Sequence, residues 1–196
     1  MVEQFELGGE FFAGLEQRDK EIAERVAAAG CLVCGKGALH RSDYGRKPRG
    51  GLLAHAGEAC VKRISFCCDR EGCRKRATPP SVRFLGRRVY LGAVVIVASM
   101  LARVLESAAE IRAVTGVPPR TTRRWLGWWC GPFVSTSVFI AVRARLIGVE
   151  IAKLPASIVQ QLLGSPTEQV RTMLALLAPL TTGSVPDGAR FLRGAP

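Results

Sequence analysis

Two groups of cysteines carry the clearest chemistry in this 196-residue sequence. Cys31 and Cys34 are separated by two residues, and Cys68 and Cys73 by four, with Gly72 closing the second turn. Each close pair can present two thiolates to one ion, and zinc prefers four soft ligands in a tetrahedron. The spacing therefore predicts that these four sulfurs hold Zn²⁺.

The third ligand of this site is less determined, because Cys67 and Cys68 are adjacent. Neighbouring residues of a strand point to opposite faces, so only one of them can join the site. Cys68 leaves the shorter loop before the last cysteine, and we predict Cys68 as the ligand and Cys67 as a packing thiol. Cys60, His55 and His40 are weaker candidates on spacing grounds. The alternative for the whole group is a disulfide framework or a set of separate core thiols.

The charge of the chain favours a polyanionic partner. Lys and Arg number 28 against 16 Asp and Glu, which gives a formal net charge of +12. Seven of the acids fall in the first 24 residues, so the remaining chain is more basic still. A dense basic stretch without acids supplies the predicted phosphate contacts: Arg74, Lys75, Arg76, Arg83, Arg87 and Arg88. An ordinary solvated face is the alternative.

The pattern of apolar residues predicts a mainly α protein with a small β zinc ribbon. Phe11, Leu15, Ile22 and Val26 form one stripe of a helix that leads to the first cysteine pair. The predicted divisions are an N-terminal amphipathic helix (1–29), a zinc ribbon with a basic strand (30–84), a helix-turn-helix (85–131), a C-terminal helical region (132–180) and a flexible tail (181–196).

One apolar run, from Val89 to Ala102, is about 14 residues long. A membrane span needs roughly 20, so we predict a buried helix and no membrane contact. No basic, then apolar, then small-residue pattern opens the sequence. We therefore expect a cytoplasmic protein whose cysteines stay reduced.

The segment that follows has the outline of a helix-turn-helix. Residues 108–114 predict a short helix, 115–118 a turn, and 119–129 a second helix with proline in its first turn. Such a unit places the start of its second helix in the major groove of DNA. Within that helix the predicted core residues are Thr122, Trp125, Leu126 and Trp129, the predicted base contacts are Arg120, Thr121 and Arg124, and Arg123 is assigned to phosphate.

The C-terminal region reads as further helices. Residues 132–151 predict one helix, and Pro155 can open a short one. Ser165 and Glu168 form a capping box, which predicts a last helix to about residue 177. The Gly-, Pro- and Ser-rich tail beyond it is expected to fray.

The order of these parts resembles that of bacterial insertion-sequence transposases. A CxxC ribbon is followed by a basic strand, an apolar helix and then the motif Gly-Val-Pro-Pro-Arg-Thr-Thr-Arg-Arg-Trp. The resemblance covers about residues 28–130. It implies a zinc ribbon joined to a helix-turn-helix that binds the terminal repeats of the element. The four predicted cysteine ligands match the metal ligands of that family, and residues 120–125 match the start of the recognition helix. The sequence departs from the family at Pro118, where serine is common, and in the wider second cysteine pair.

Transposases of this kind continue into an RNase H-like domain whose three carboxylates hold two metal ions. Beyond Arg124 this chain has only Glu150, Glu168 and Asp187 as acids, so we expect no enzymatic activity. The sequence favours a zinc-dependent protein of mobile-element type that binds double-stranded DNA. One alternative is a subunit or fragment of a transposase or recombinase whose catalytic core is on another chain. A second alternative is an RNA-binding or protein-docking zinc module.

Overall fold

The chain folds as a mainly helical protein with small antiparallel sheets, as the sequence predicts. A computed structural model describes residues 7–50, 56–85, 89–105, 107–185 and 187–192. The α-helices are α1 (Gly9–Ala28), α2 (Gly92–Leu101), α3 (Ala108–Thr115), α4 (Pro119–Cys130), α5 (Ser137–Arg143), α6 (Ala156–Val159) and α7 (Pro166–Leu177). The strands are β1 (Leu39–Arg41), β2 (Tyr44–Gly45), β3 (Lys62–Arg63), β4 (Phe66–Cys68) and β5 (Arg76–Ala77).

Helix α1 turns one apolar stripe toward the core. Phe11, Leu15, Ile22 and Val26, which the spacing predicts for this face, are all buried. The helix is followed by Gly30, whose φ of 68° lies in the left-handed region. Glycine adopts this conformation at little cost, so it can end the helix and turn the chain into the first cysteine pair.

The strands form two antiparallel sheets, β1-β4-β5 and β2-β3. The register places Cys67 opposite His40 and Cys68 opposite Leu39. Because side chains alternate between the two faces of a strand, β4 buries Phe66 and Cys68 and leaves Cys67 half-buried. The buried face of this sheet belongs to one continuous apolar core with the helices.

Helix α2 lies at the centre of the helical part. All its residues except Met100 are buried, and it packs against α3, α4 and α7. The predicted buried helix over 89–102 is therefore confirmed, with shorter bounds. Within the described ranges no single helix is long and apolar enough to cross a membrane, while the bent pair Pro119–Ser135 and Ser137–Arg143 passes on length and composition only.

Helices α3 and α4 match their predicted bounds to within one residue. Ser107 caps α3 by accepting a hydrogen bond from a backbone N–H in the first turn, and Gly116, with φ of 65°, turns the chain after it. Trp125 and Trp129 are buried, as predicted. The indole N–H of Trp129 donates to Oγ of Ser99 at 2.9 Å, which fastens α4 to α2.

The predicted continuous helix over 132–151 is wrong. A 3-10 helix covers Pro132–Ser135, and α5 starts after it. The break occurs because the Thr136 hydroxyl accepts a hydrogen bond from the backbone N–H three residues on and caps a new helix. The capping box of Ser165 and Glu168 at the start of α7 is confirmed.

The predicted flexible tail over 181–196 packs against α1 in its described part. Arg18 of α1 donates to the carbonyl of Leu192 at 2.5 Å, and Arg25 donates to the carbonyl of Phe191 at 2.9 Å. Phe191 is itself buried in the core. The expectation of fraying is therefore wrong there, because an aromatic side chain and two arginines anchor the segment.

A buried charged network ties α1 to the segment that precedes α2. The carboxylate of Asp19 accepts hydrogen bonds from Ser81 Oγ at 2.5 Å, Val82 N at 2.7 Å and Arg83 Nε at 2.9 Å. Nη1 of the buried Arg63 lies 3.9 Å from the same carboxylate. The predicted phosphate contact of Arg83 is therefore wrong, since this side chain is 3% exposed and its charge is used inside the protein.

Candidate metal centre and basic surfaces

Two turns bring four cysteines together from distant parts of the chain. Cys31 and Cys34 lie in the turn after α1, Cys68 ends β4, and Cys73 lies in the turn before β5. The first turn leads into β1, and β1 pairs with β4. This pairing therefore sets the two turns against each other.

Backbone hydrogen bonds shape both turns. In the first turn, the N–H of Gly35 donates to the carbonyl of Cys31 at 2.8 Å, and the N–H of Cys31 donates to the carbonyl of Gly37 at 2.9 Å. In the second turn, the N–H of Cys73 donates to the carbonyl of Arg70 at 3.1 Å. Each turn is thus held by its own backbone hydrogen bonds, in addition to the strand pairing that brings the two turns together.

The sulfur positions fit a tetrahedral ion. Sγ of Cys31 lies 3.8 Å from Sγ of Cys73, Sγ of Cys34 lies 3.7 Å from Sγ of Cys68, and all four atoms lie within 4.8 Å of one another. Four sulfurs placed about 2.3 Å from a central zinc are about 3.8 Å apart. The group is therefore compatible with a metal site. All seven cysteines are free, whereas a disulfide would need an S–S distance of about 2.05 Å.

The structure brings Cys68 rather than Cys67 into this group, as the sequence predicts. Sγ of Cys67 lies instead 3.4 Å from a backbone carbonyl oxygen of the second turn. Cys60 is buried in the apolar core, and His40 is exposed on β1, so neither belongs to the group. His55 lies outside the described residues.

Two thiols of the group, those of Cys34 and Cys68, have pKa values shifted in opposite directions. A hydrogen bond from the backbone of Lys36, supported by one from Gly37, lowers the pKa of Cys34 to about 6 against the opposing effect of burial. Burial raises the pKa of Cys68 to about 12, and the neighbouring thiols add to the rise. Four thiolates this close would repel one another, so full deprotonation needs a cation among them. A divalent metal supplies that charge.

Gly37 is a residue of the site that cysteine spacing does not identify. A Cβ at this position would lie 2.3 Å from Sγ of Cys68, far inside van der Waals contact. Only glycine therefore lets the backbone of the first turn approach the buried thiol. The available sequence signal is the Gly-Lys-Gly run that begins at Gly35, directly after the first cysteine pair.

The basic stretch around the second turn is divided by the fold. Arg74 and Lys75 are exposed beside the last cysteine. Arg76 is exposed on β5, and its Nη1 donates to Oγ of Ser65 at 2.9 Å, which holds the guanidinium against the sheet. Two further predicted phosphate contacts, Arg87 and Arg88, lie outside the described residues.

Helix α4 carries a second basic surface. Arg120, Arg123 and Arg124 are exposed and Thr121 is half-buried, whereas Thr122 faces the core, as the spacing predicts. In the described part of the chain, none of the three guanidiniums has an ion-pair or hydrogen-bond partner. Their charge is therefore available to an anionic partner.

No protein-family model, curated protein or solved structure matches this chain. The resemblance to insertion-sequence transposases therefore depends on the cysteine and helix motifs themselves.

Proposed function

We propose that this chain is a zinc-dependent protein of mobile-element, transposase-related type that binds double-stranded DNA. The observation that carries the proposal is the exposed surface of α4. Three arginines that have no ion-pair or hydrogen-bond partner among the described residues share this helix, and its other side is buried in the core. A cationic helix anchored in this way is suited to enter a groove of DNA as a rigid body.

Helices α3 and α4 supply the helix-turn-helix of this proposal. The second helix of such a unit has its N-terminal residues nearest the base edges. Arg120 and Thr121 lie in the first turn of α4, and Arg124 follows Arg120 by four residues, which places the two arginines on the same side of the helix. An arginine that bonds O6 and N7 of guanine contributes about 1–3 kcal/mol of discrimination. Arg123 is assigned to phosphate.

The metal in this proposal is structural zinc in a ribbon built on β1, β4 and β5. Four protein ligands fill the tetrahedron, which leaves no position for water or substrate. Zinc would neutralise the grouped thiolates and hold the two turns together. Arg74 and Lys75, next to the last ligand, would then be presented to phosphate from a rigid support.

The proposal assigns no catalytic step to this chain. Beyond Arg124 its acids are confined to Glu150, Glu168 and Asp187, and Glu168 is used in the capping box of α7. Cleavage and joining of DNA would belong to a transposase or recombinase catalytic subunit on another chain. This chain would recognise the DNA.

Selection of bound duplexes from a random pool tests the proposal. The zinc-loaded protein should enrich a discrete sequence, and a chelator should abolish the enrichment. Arg120→Ala and Arg124→Ala should each relax the preference at a base pair, whereas Arg143→Ala, which removes an exposed arginine from α5, should leave it unchanged.

Failure of the folded, metal-loaded protein to enrich any duplex would refute DNA recognition. Equal losses on every sequence would reassign the α4 arginines to phosphate. Stronger competition from structured RNA than from any duplex would favour the RNA-binding alternative.

A further inference from the structure

A basic cleft of about 940 Å³ lies between the β-sheets and the C-terminal segment. Its lining includes Tyr44 of β2, Arg46, Arg76 of β5, Thr78 and Ser184. Among the described residues that line it there is no carboxylate. Cavities of this volume are in the range that holds small organic ligands, and two cations without an acid favour an anionic one.

Polar hydrogens in the cleft are free to meet a ligand. Oγ of Ser184 accepts a hydrogen bond from the backbone N–H of Thr78 at 2.8 Å. Within the described part of the chain nothing accepts the proton of that hydroxyl, and the hydroxyl of Tyr44 has no partner there either. Tyr44 is 37% exposed as a residue, and its ring lies beside the guanidinium of Arg76, whose Cζ is 5.9 Å from the ring centroid.

Buried charge next to the cleft adds to its positive potential. Tyr44 pairs across the β2-β3 ladder with Arg63, which is 1% exposed. Nη1 of Arg63 has no hydrogen-bond partner among the described residues. Arg63 and Arg83 share the one carboxylate of Asp19, so among the described residues one positive charge of this buried group has no carboxylate of its own. An anion in the neighbouring cleft would be attracted by it.

We propose that this cleft binds the phosphate ester of a nucleotide, either within a single nucleic-acid strand or as a free nucleotide. Arg46 and Arg76 meet the phosphate oxygens, and Ser184 donates a further hydrogen bond. The Tyr44 ring provides a stacking surface for the base, since a basic groove with an aromatic platform is the usual arrangement for unpaired strands. This site uses no residue of α4 and therefore goes beyond the proposed duplex recognition.

The test follows the backbone amide resonances of the full, zinc-loaded chain during titration with three probes. The probes are inorganic phosphate, thymidine 5′-monophosphate and a thymidine tetranucleotide. Shifts should concentrate at Tyr44, Thr78 and Ser184, with both nucleotide probes binding more tightly than phosphate. Tighter binding of the tetranucleotide assigns the cleft to a strand, and equal binding of the two assigns it to a free nucleotide. Absence of shifts at these residues, or shifts spread over all basic surfaces, overturns the proposal.

A pair of double variants separates the cleft from general charge. Arg46→Gln with Arg76→Gln should weaken binding of the tetranucleotide by at least about tenfold. Arg41→Gln with Lys62→Gln removes the same charge from exposed strand positions outside the cleft and should change it by less than about twofold. Equal losses in the two double variants would overturn the proposal. If the first variant does not fold, the titration of the unaltered chain decides.

Failure of the two proposals can be told apart. If no duplex is enriched but the cleft resonances still shift with the nucleotide probes, duplex recognition is refuted and the cleft stands. If duplexes are enriched but those resonances do not move, the cleft is refuted and duplex recognition stands.

Discussion

Replacement of Asp19 with alanine should destabilise the protein severely. Its carboxylate is 1% exposed, accepts three hydrogen bonds of 2.5 to 2.9 Å, and lies between two guanidiniums. Without it, Arg63 and Arg83 become uncompensated buried charges. Removal of one partner from a buried ion pair costs about 3–5 kcal/mol. In a chain of this length that loss lowers the melting temperature by roughly 6–20 °C.

Urea and thermal unfolding of the zinc-loaded protein measure this effect. The matched control is Glu24→Ala, which removes an exposed acid from the same helix and should change the free energy of unfolding by less than about 0.5 kcal/mol. A second variant, Asp19→Ala with Arg83→Met, should lose less than the sum of its single variants, because it removes both partners of one pair.

A loss below about 1 kcal/mol for Asp19→Ala would refute this reasoning. Strict additivity in the double variant would also do so, because it would show that the carboxylate and the guanidinium of Arg83 do not stabilise each other.

Three further predictions concern the cysteine group. Cys31→Ser should abolish stoichiometric zinc in metal analysis and unfold the ribbon. The control Cys67→Ser should retain both the metal and the fold. Zinc-free wild-type protein with an intact ribbon would falsify the assignment. Zinc binding near neutral pH should release protons, because burial raises the pKa of the Cys68 thiol to about 12 and this proton must leave when the metal binds. The apparent affinity for zinc should therefore rise with pH. Calorimetry in buffers of different ionisation enthalpy measures the number of protons released. Gly37→Ala should weaken zinc binding, because the added Cβ would lie 2.3 Å from Sγ of Cys68. The control Gly45→Ala places its Cβ in open space and should not change zinc affinity. Equal zinc affinities of the two variants would contradict the close approach seen at the first turn.

The sequence predicts α1 well but not the role of its buried acid. Asp19 follows Leu15 by four residues and precedes Ile22 by three, so the apolar stripe itself places a carboxylate on the buried face. That position is a signal for a buried partner. The cations that contact this carboxylate belong to residues 63 and 83, which are far along the chain. The basic character of residues 74–88, taken alone, predicts a single solvent-facing segment. Burial of Arg83 is therefore visible only in three dimensions.

Local chemistry made the cysteine group predictable. The spacing of each cysteine pair restricts the distance between its two thiols, and the alternation of side chains along a strand favours Cys68 over Cys67 as the ligand. The contact between Gly37 and Cys68 depends on the pairing of β1 with β4, which single-sequence patterns do not determine. Likewise, Thr136 interrupts the helical pattern of residues 132–151 with a cap, a choice that local periodicity does not distinguish from continuation.

The sheets are attached to the helices in two ways that do not depend on each other. The cysteine turns join the end of α1 to β4 and β5. Asp19 joins α1 to Arg63 of β3 and to the segment before α2, and the apolar core packs α1, α2 and α7 together without the cysteine group. Removal of the proposed metal should therefore unfold the two turns together with the β1-β4 pairing that joins them, and leave α1, α2 and α7 packed. Chelation is expected to preserve most of the helical circular dichroism while the amide resonances of β1 and β4 are lost, and added zinc should restore them. Loss of the helical signal on chelation would show that the metal, rather than the core, holds the helices together.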